Sequence, residues 1–202
     1  MTLDRFRSVA DRAIEPFVSA ADRVGLTPNA VSVVAFGAAA VAGVCFGLAG
    51  DDATLYPVGA LLVVLNGWLD ILDGALAREL GTESRAGDLL DHVLDRYADI
   101  VVIVGLAAGL DRYGLGVAAV TGVLMTSYLG TQAQAVDLDR VYGGLLGRAD
   151  RLVLVAVVTA VAPFVTATAA GLGPVGWLLV LFAVVGHLTA LQRFVLSMRA
   201  LG

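Results

Sequence analysis

Six stretches of this 202-residue chain are apolar for long enough to cross a lipid bilayer as helices, and nothing else in it constrains the fold as much. They cover about 30–49, 55–77, 87–110, 115–136, 152–170 and 175–196. A bilayer core takes ~20 residues of helix, and it leaves no backbone polar group unpaired, so runs of this length read as spanning helices. The composition agrees: 58% of residues are hydrophobic and only 15% charged, too few charges to cover a soluble surface. The connections are short and no internal repeat is evident. The expectation is therefore one all-α domain over residues 27–202, a bundle of six transmembrane helices.

Residues 1–26 come before the first apolar run and predict a juxtamembrane amphipathic helix. Leu3, Phe6, Val9, Ala10, Ala13, Ile14 and Phe17 recur at helical spacing, with Asp4, Arg5, Arg7, Asp11 and Arg12 mostly off that stripe. Such a helix rests in the membrane interface or packs beneath the bundle, and Pro16 is expected to bend or break it. Its charges are spread throughout, unlike a cleavable signal peptide. Thr27 and Pro28 then suit the cap and first position of the next helix.

Orientation follows from the arginines, which are all thirteen of the basic residues. With six spans and both termini inside, the inner segments hold Arg5, Arg7, Arg12, Arg23, Arg78, Arg85, Arg140, Arg148, Arg151, Arg193 and Arg199, whereas the outer loops hold only Arg112 beside Asp51, Asp52 and Asp111. This is the positive-inside pattern, and it predicts a multi-pass protein of the cell membrane with cytoplasmic termini.

Ionisable residues inside spans are costly and mark function. Here they gather on two consecutive spans, LNGWLDILDGALARELG and SRAGDLLDHVLDRYADI. Asp70 and Asp73 are three apart and Asp91 and Asp95 four apart, so each pair shares one helix face near the inner surface. Four facing carboxylates repel unless something neutralises them, and Arg78 and Arg96 are too few. Divalent cations supply that charge, and carboxylate oxygens are what Mg²⁺ or Mn²⁺ prefer. Gly74 and Gly87 leave room for a ligand to approach the backbone. Arg78, two turns from Asp70, can hold a phosphate by charge-assisted hydrogen bonds.

The spacing Asp70-x2-Asp73-Gly74-x2-Ala77-Arg78-x8-Gly87-x3-Asp91-x3-Asp95 resembles the signature of the CDP-alcohol phosphotransferases at every fixed position. The likeness extends over the whole chain, from the Thr27-Pro28-Asn29 lead-in through six spans. The resemblance implies a CDP-linked lipid donor, such as CDP-diacylglycerol or CDP-archaeol, with loss of CMP. It implies two divalent ions (Mg²⁺ or Mn²⁺) between the four metal-site aspartates Asp70, Asp73, Asp91 and Asp95. Asp95 would be beside them, taking a proton from the acceptor hydroxyl as the catalytic base. Gly74, Arg78 and Gly87, with Asp70, would form the nucleotide site. It also implies a homodimer; no nucleic-acid partner is expected.

The segment after the fourth span brings Arg148 and Arg151 three apart, with Arg140 nearby. They can form an anion site for an acceptor that carries its own phosphate, a small polyol phosphate such as inositol phosphate or glycerol phosphate. The alternative is anchoring to lipid head groups. The Asp95-Arg96-Tyr97-Ala98-Asp99 tail resembles the inositol-phosphate branch, although Gly130 stands where that branch carries an arginine after Ser127-Tyr128.

Asp88 can act in the second cluster or at the helix start, Asp99 can pair with Arg96 or line an acceptor cavity, and Asn66 can meet substrate or bond across helices. His92 reads as a packing residue or as a hydrogen-bonding partner behind the metal site, and His187 and Cys45 read as packing residues. Two rival readings use the same acids: an intramembrane prenyltransferase, and a non-enzymatic cation transporter with carboxylates in its path. CMP production separates both from the phosphotransferase.

Overall fold

The computed structural model describes residues 7–139 and 146–202, with the side chains of the first helix described from Ile14 onward. Seven α-helices occur among the described residues: α1 (Arg7–Arg23), α2 (Pro28–Leu48), α3 (Leu55–Leu80), α4 (Arg85–Gly109), α5 (Tyr113–Ala135), α6 (Arg148–Val161) and α7 (Pro174–Leu201). Each expected span overlaps one of α2 to α7, but the fifth, expected over 152–170, is α-helical only as far as Val161. Four of them, α2, α3, α5 and α7, are long and apolar enough to cross a membrane, which makes this a multi-pass membrane protein. Helix α4 is long but carries the charged cluster. Helix α6 has 14 residues and passes at Ala162–Phe164 into a 3-10 turn that contains Pro163.

Local chemistry sets the helix ends. Thr27 Oγ1 accepts a hydrogen bond from the Ala30 amide at 3.2 Å, and Pro28 opens α2. Helix α3 stops at Gly81, whose φ of +60° suits a residue without a side chain. The Gly81 and Thr82 amides then reach back to the carbonyls of Arg78 and Ala77, closing a Schellman turn. Three residues later Ser84 caps α4 by accepting from the Gly87 amide at 3.1 Å, so the motif's two halves are joined by a tight, doubly capped turn.

Helix α2 packs along both α3 and α4, α5 packs along α7, and α6 lies against α3. The core between them is closed by fully buried Phe46, Val63, Leu106, Leu179 and Phe182. Small residues permit the closest crossing. A Cβ at Gly105 would strike the backbone of Gly43, and one at Gly109 would strike the Phe46 carbonyl. In a membrane, where apolar side chains gain little by leaving lipid, such backbone approach is what holds helices together. Gly105→Ala is expected to lower the melting temperature of the detergent-solubilised protein, with an overpacking cost of about 1–3 kcal/mol. Gly114→Ala, with nothing within 4 Å of the added methyl, is the matched neutral control.

Of the bend or break expected at Pro16, the break does not occur: α1 continues through it. Pro16 is exposed, so no neighbouring helix crowds its ring. Ile14, Val18 and Ala21 are buried against Val31, Leu72 and Leu76, and Phe17 meets the Trp68 ring edge-on with centroids 5.3 Å apart. The described part of α1 thus packs on α3. Leu3 and Phe6 of its expected apolar stripe lie outside the described residues.

Candidate active site

Consecutive helices α3 and α4 present the acidic faces that their i,i+3 and i,i+4 spacings require. Asp70, Asp91 and Asp95 each offer a carboxylate oxygen, and these oxygens all lie within 4.8 Å of one another. Asp73 is drawn slightly aside. It is buried, and its Oδ2 accepts a 2.6 Å hydrogen bond from Ser32 Oγ of α2. The Ser32 oxygen also lies 3.2 Å from the Pro28 carbonyl, but the hydroxyl has one proton and the charged acceptor is the nearer.

A cleft of about 360 Å³ opens beside the cluster, bordered by Asn29, Asp73, Gly74, Arg78, Gly87 and Asp91. Its size suits a ligand as large as a nucleotide. Both motif glycines keep it open. A methyl at Gly74 would sit 3.4 Å from Arg78 Nη1, and one at Gly87 would sit 3.2 Å from Ser84 Oγ and 3.4 Å from Asn29 Oδ1. Arg78 is exposed at the rim. Asp88, also exposed, lines the same cleft from the first turn of α4, so it has access to a ligand as well as a favourable place at the helix start.

The cation that the sequence lacks nearby arrives from α6. Arg148 forks across the cluster, with Nη1 2.7 Å from Asp70 Oδ2 and Nη2 2.6 Å from Asp95 Oδ1. The guanidinium thus bridges two carboxylates, with one short charge-assisted contact to each. One turn further, Arg151 donates to Asp99 at 2.8 Å, both side chains being buried. Removing one partner of such a pair strands the other charge in the interior. Arg96 lies 3.5 Å from Asp95 and donates to Ser127 Oγ on α5. Arg148 and Arg151 therefore face the acidic cluster and the helix below it, and Arg140 lies outside the described residues. Sequence reasoning linked Asp99 to Arg96; the closer partner is Arg151, with Arg96 Nε at 4.0 Å.

The remaining candidates sit at the margins. His92 is half exposed with Nδ1 3.6 Å from Asp91. His187 Nε2 is 3.4 Å from Thr121 Oγ1 across the α5–α7 crossing. Ser32 escaped sequence reasoning, because a lone serine in an apolar run carries no signal of its own.

The gathered donors are all carboxylate oxygens, the hard ligands that Mg²⁺ and Mn²⁺ take, so Asp70, Asp91 and Asp95 fit a divalent ion, with Asp73 adjoining. Residues 25–198 match the family model described as CDP-alcohol phosphatidyltransferase. The chain belongs to the CDP-alcohol phosphatidyltransferase family. It is accordingly a transferase of phospholipid synthesis, in a family that depends on Mg²⁺ or Mn²⁺. Membership separates it from the prenyltransferases and cation carriers that use similar acids.

Among its relatives in the family, the archaetidylinositol phosphate synthase of Methanothermobacter thermautotrophicus is 33% identical over 155 residues, 76% of this chain and 74% of that one. The phosphatidylinositol phosphate synthase of Mycolicibacterium smegmatis is 37% identical over 154 residues, 70% of this chain but 65% of the relative. The phosphatidylinositol phosphate synthase of Mycobacterium tuberculosis has a similar fold. Its crystal structure with manganese and citrate superposes with a TM-score of 0.78 at 28% identity, covering 92% of this chain and 88% of that one. With CDP-DAG bound the TM-score is 0.76 at 29% identity, covering 91% and 92%.

Proposed function

We propose that this enzyme moves the phospholipid moiety of a CDP-lipid, CDP-diacylglycerol or CDP-archaeol, onto a hydroxyl of a small polyol phosphate, inositol phosphate before glycerol phosphate. The observation that carries the proposal is the convergence of three carboxylates and a forked arginine at the edge of a nucleotide-sized cleft. The names of the relatives, archaetidylinositol phosphate synthase and phosphatidylinositol phosphate synthase, support the choice of acceptor.

In this reading Gly74, Arg78 and Gly87, with Asp70, bind the cytidine diphosphate portion in the cleft. Asp70, Asp73, Asp91 and Asp95 would hold two divalent ions, which when bound offset the diphosphate charge and the charge developing on the leaving CMP. Asp95 takes the proton of the acceptor hydroxyl. The acceptor oxygen forms a bond to the lipid phosphorus as the bond from that phosphorus to the bridging oxygen breaks, and CMP leaves with the electron pair. Arg148 and Arg151 hold the acceptor's own phosphate, Arg148 by turning its fork from Asp70 and Asp95 toward the incoming anion. Arg140 is a further candidate for that site.

The reading places six spans across the cell membrane, with both termini and the cleft on the cytoplasmic side; the arginine distribution supports this. Residues 1–26 form the interfacial element and 27–202 the catalytic domain. The working unit is a homodimer, as the family resemblance implies.

The test is CMP release by purified protein in detergent or lipid, supplied with CDP-lipid, Mn²⁺ or Mg²⁺ and a panel of acceptors, with a chelator control. Metal-dependent release with inositol phosphate, and little with serine or free inositol, is the expected result. Release with serine or free inositol instead would overturn the acceptor class. Within the same assay Arg148→Ala is expected to raise the acceptor KM by about tenfold or more, the worth of a charge-assisted hydrogen bond. An unchanged KM removes Arg148 from the acceptor site.

A further inference from the structure

Asn66 lies one helical turn before Asp70 on α3 and is 2% exposed. Its Nδ2 donates to the Ala35 carbonyl of α2 at 2.9 Å, which fixes the plane of the amide. Its Oδ1 has no hydrogen-bond partner. A buried amide oxygen left bare costs free energy, and native chains keep few of them, so each calls for a physical reason.

The surroundings supply one. Asn66 borders a small cavity together with Ser32, Asp70, Asp73, Asp91 and Asp95, with room for about one water molecule. Every polar group around that space is an acceptor. Ionised carboxylates have no proton to give, and the one proton of Ser32 is committed to Asp73. With the four carboxylates ionised, as they are when they hold a metal ion, no side chain lining the cavity can satisfy Asn66 Oδ1. A donor must come from outside the chain, and it must tolerate carboxylates on its other side.

We infer that Asn66 is a positioning residue of the divalent-metal centre: its Oδ1 accepts a hydrogen bond from a water molecule coordinated to the ion that the aspartates hold. The inference rests on the metal reading of the aspartate cluster. A coordinated water meets both requirements, because the ion takes its oxygen while its protons are left to donate. Mg²⁺ in particular keeps several waters when carboxylates bind it. The bond to Ala35 holds the amide in place, so Asn66 acts through the water. The competing role is purely structural, a polar tie between α2 and α3.

The two roles separate in a Mn²⁺ titration of the purified, detergent-solubilised protein, with free Mn²⁺ followed by electron paramagnetic resonance. Thermal melts with and without Mn²⁺ accompany it. Asn66→Leu keeps the shape and removes both polar atoms; Asn66→Asp keeps an acceptor but loses the donor to Ala35. The positioning role predicts that Asn66→Leu weakens Mn²⁺ binding about tenfold, as loss of an outer-shell partner does. The Mn²⁺-induced rise in melting temperature then shrinks accordingly. Asn66→Asp is expected to bind Mn²⁺ at least as tightly as the unaltered chain, despite losing the Ala35 bond. If both variants lower the metal-free melting temperature and leave Mn²⁺ affinity unchanged, Asn66 is only a tie between helices. Should Asn66→Leu not fold, Asn66→Ala is titrated in its place against the same criterion. Failure of the unaltered chain to bind Mn²⁺ would sink the metal reading and this inference together, whereas binding that Asn66→Leu leaves intact sinks this inference alone.

Discussion

Asp95→Asn is expected to lower CMP release by about 10²–10⁴-fold, the usual contribution of a positioned general base, while CDP-lipid still binds. The substitution keeps the shape of the side chain and removes its capacity to accept a proton. Asp95 is the deeper of the two α4 acids, one turn from Asp91 and in the same group of carboxylate oxygens. Its side chain is only 15% exposed, with Arg148 Nη2 2.6 Å away and Arg96 Nη2 3.5 Å away. Arg148 orients the carboxylate until it turns to the acceptor's phosphate, and Arg96 stays beside it as the acceptor hydroxyl comes within hydrogen-bond distance. The cleft is bordered by Asp73 and Asp91, and an asparagine at 95 still offers the metal centre an oxygen, so donor binding should survive. Single-turnover release from bound CDP-lipid, compared with binding at equilibrium, reads the two quantities separately. Full activity in Asp95→Asn would rule out the base assignment.

The second large effect is expected at Asp91. Asp91→Asn should weaken Mn²⁺ binding by about 100-fold or more, beyond the range of outer-shell partners, and should weaken CDP-lipid binding with it. Asp73 and Asp91 both line the small cavity among the carboxylates and the larger cleft, and of the two Asp91 belongs to the gathered oxygens, so metal and donor share it. Of the three gathered acids it is also the one without an Arg148 contact, those going to Asp70 and Asp95. Asp70→Asn is expected to act in the same direction but to release Arg148 as well, so its effect on the acceptor KM will be mixed. Measuring Mn²⁺ affinity and CDP-lipid affinity on the same Asp91→Asn sample tests the coupling. Loss of one without the other would separate the metal site from the donor site.

Much of this protein is legible in one dimension because a membrane simplifies the code. Long apolar runs must be helices, since lipid satisfies no backbone group, and α2 to α7 follow the six runs. The Thr27–Pro28 start of α2 was readable because capping is local chemistry. The pairing of Asp70 with Asp73, and of Asp91 with Asp95, follows from the 3.6-residue period alone. The short turn between them reverses the chain, so the meeting of the two pairs could be expected; but α3 and α4 each pack along α2, and their acids face one another across the space between.

Contacts between helices distant in sequence could not be read. Periodicity states which residues share a face, but not which helix covers that face. Ser32 and Asp73 are 41 residues apart, and their bond draws Asp73 slightly out of a set of four that looks uniform in sequence. Arg151 reaches Asp99 over 52 residues, where the nearby Arg96 seemed the natural partner. Arg148 supplies the positive charge that a count of neighbouring arginines found missing, because α6 packs against α3. The unpaired oxygen of Asn66 exists only because its amide nitrogen is engaged by α2. The sequence by itself determined the helices, the acidic faces and the family. The tertiary structure decided which side chains partner those acids, since that depends on how the helices, the apolar ones nearly as content against lipid as against protein, choose their neighbours through close backbone approach and a few buried polar bonds.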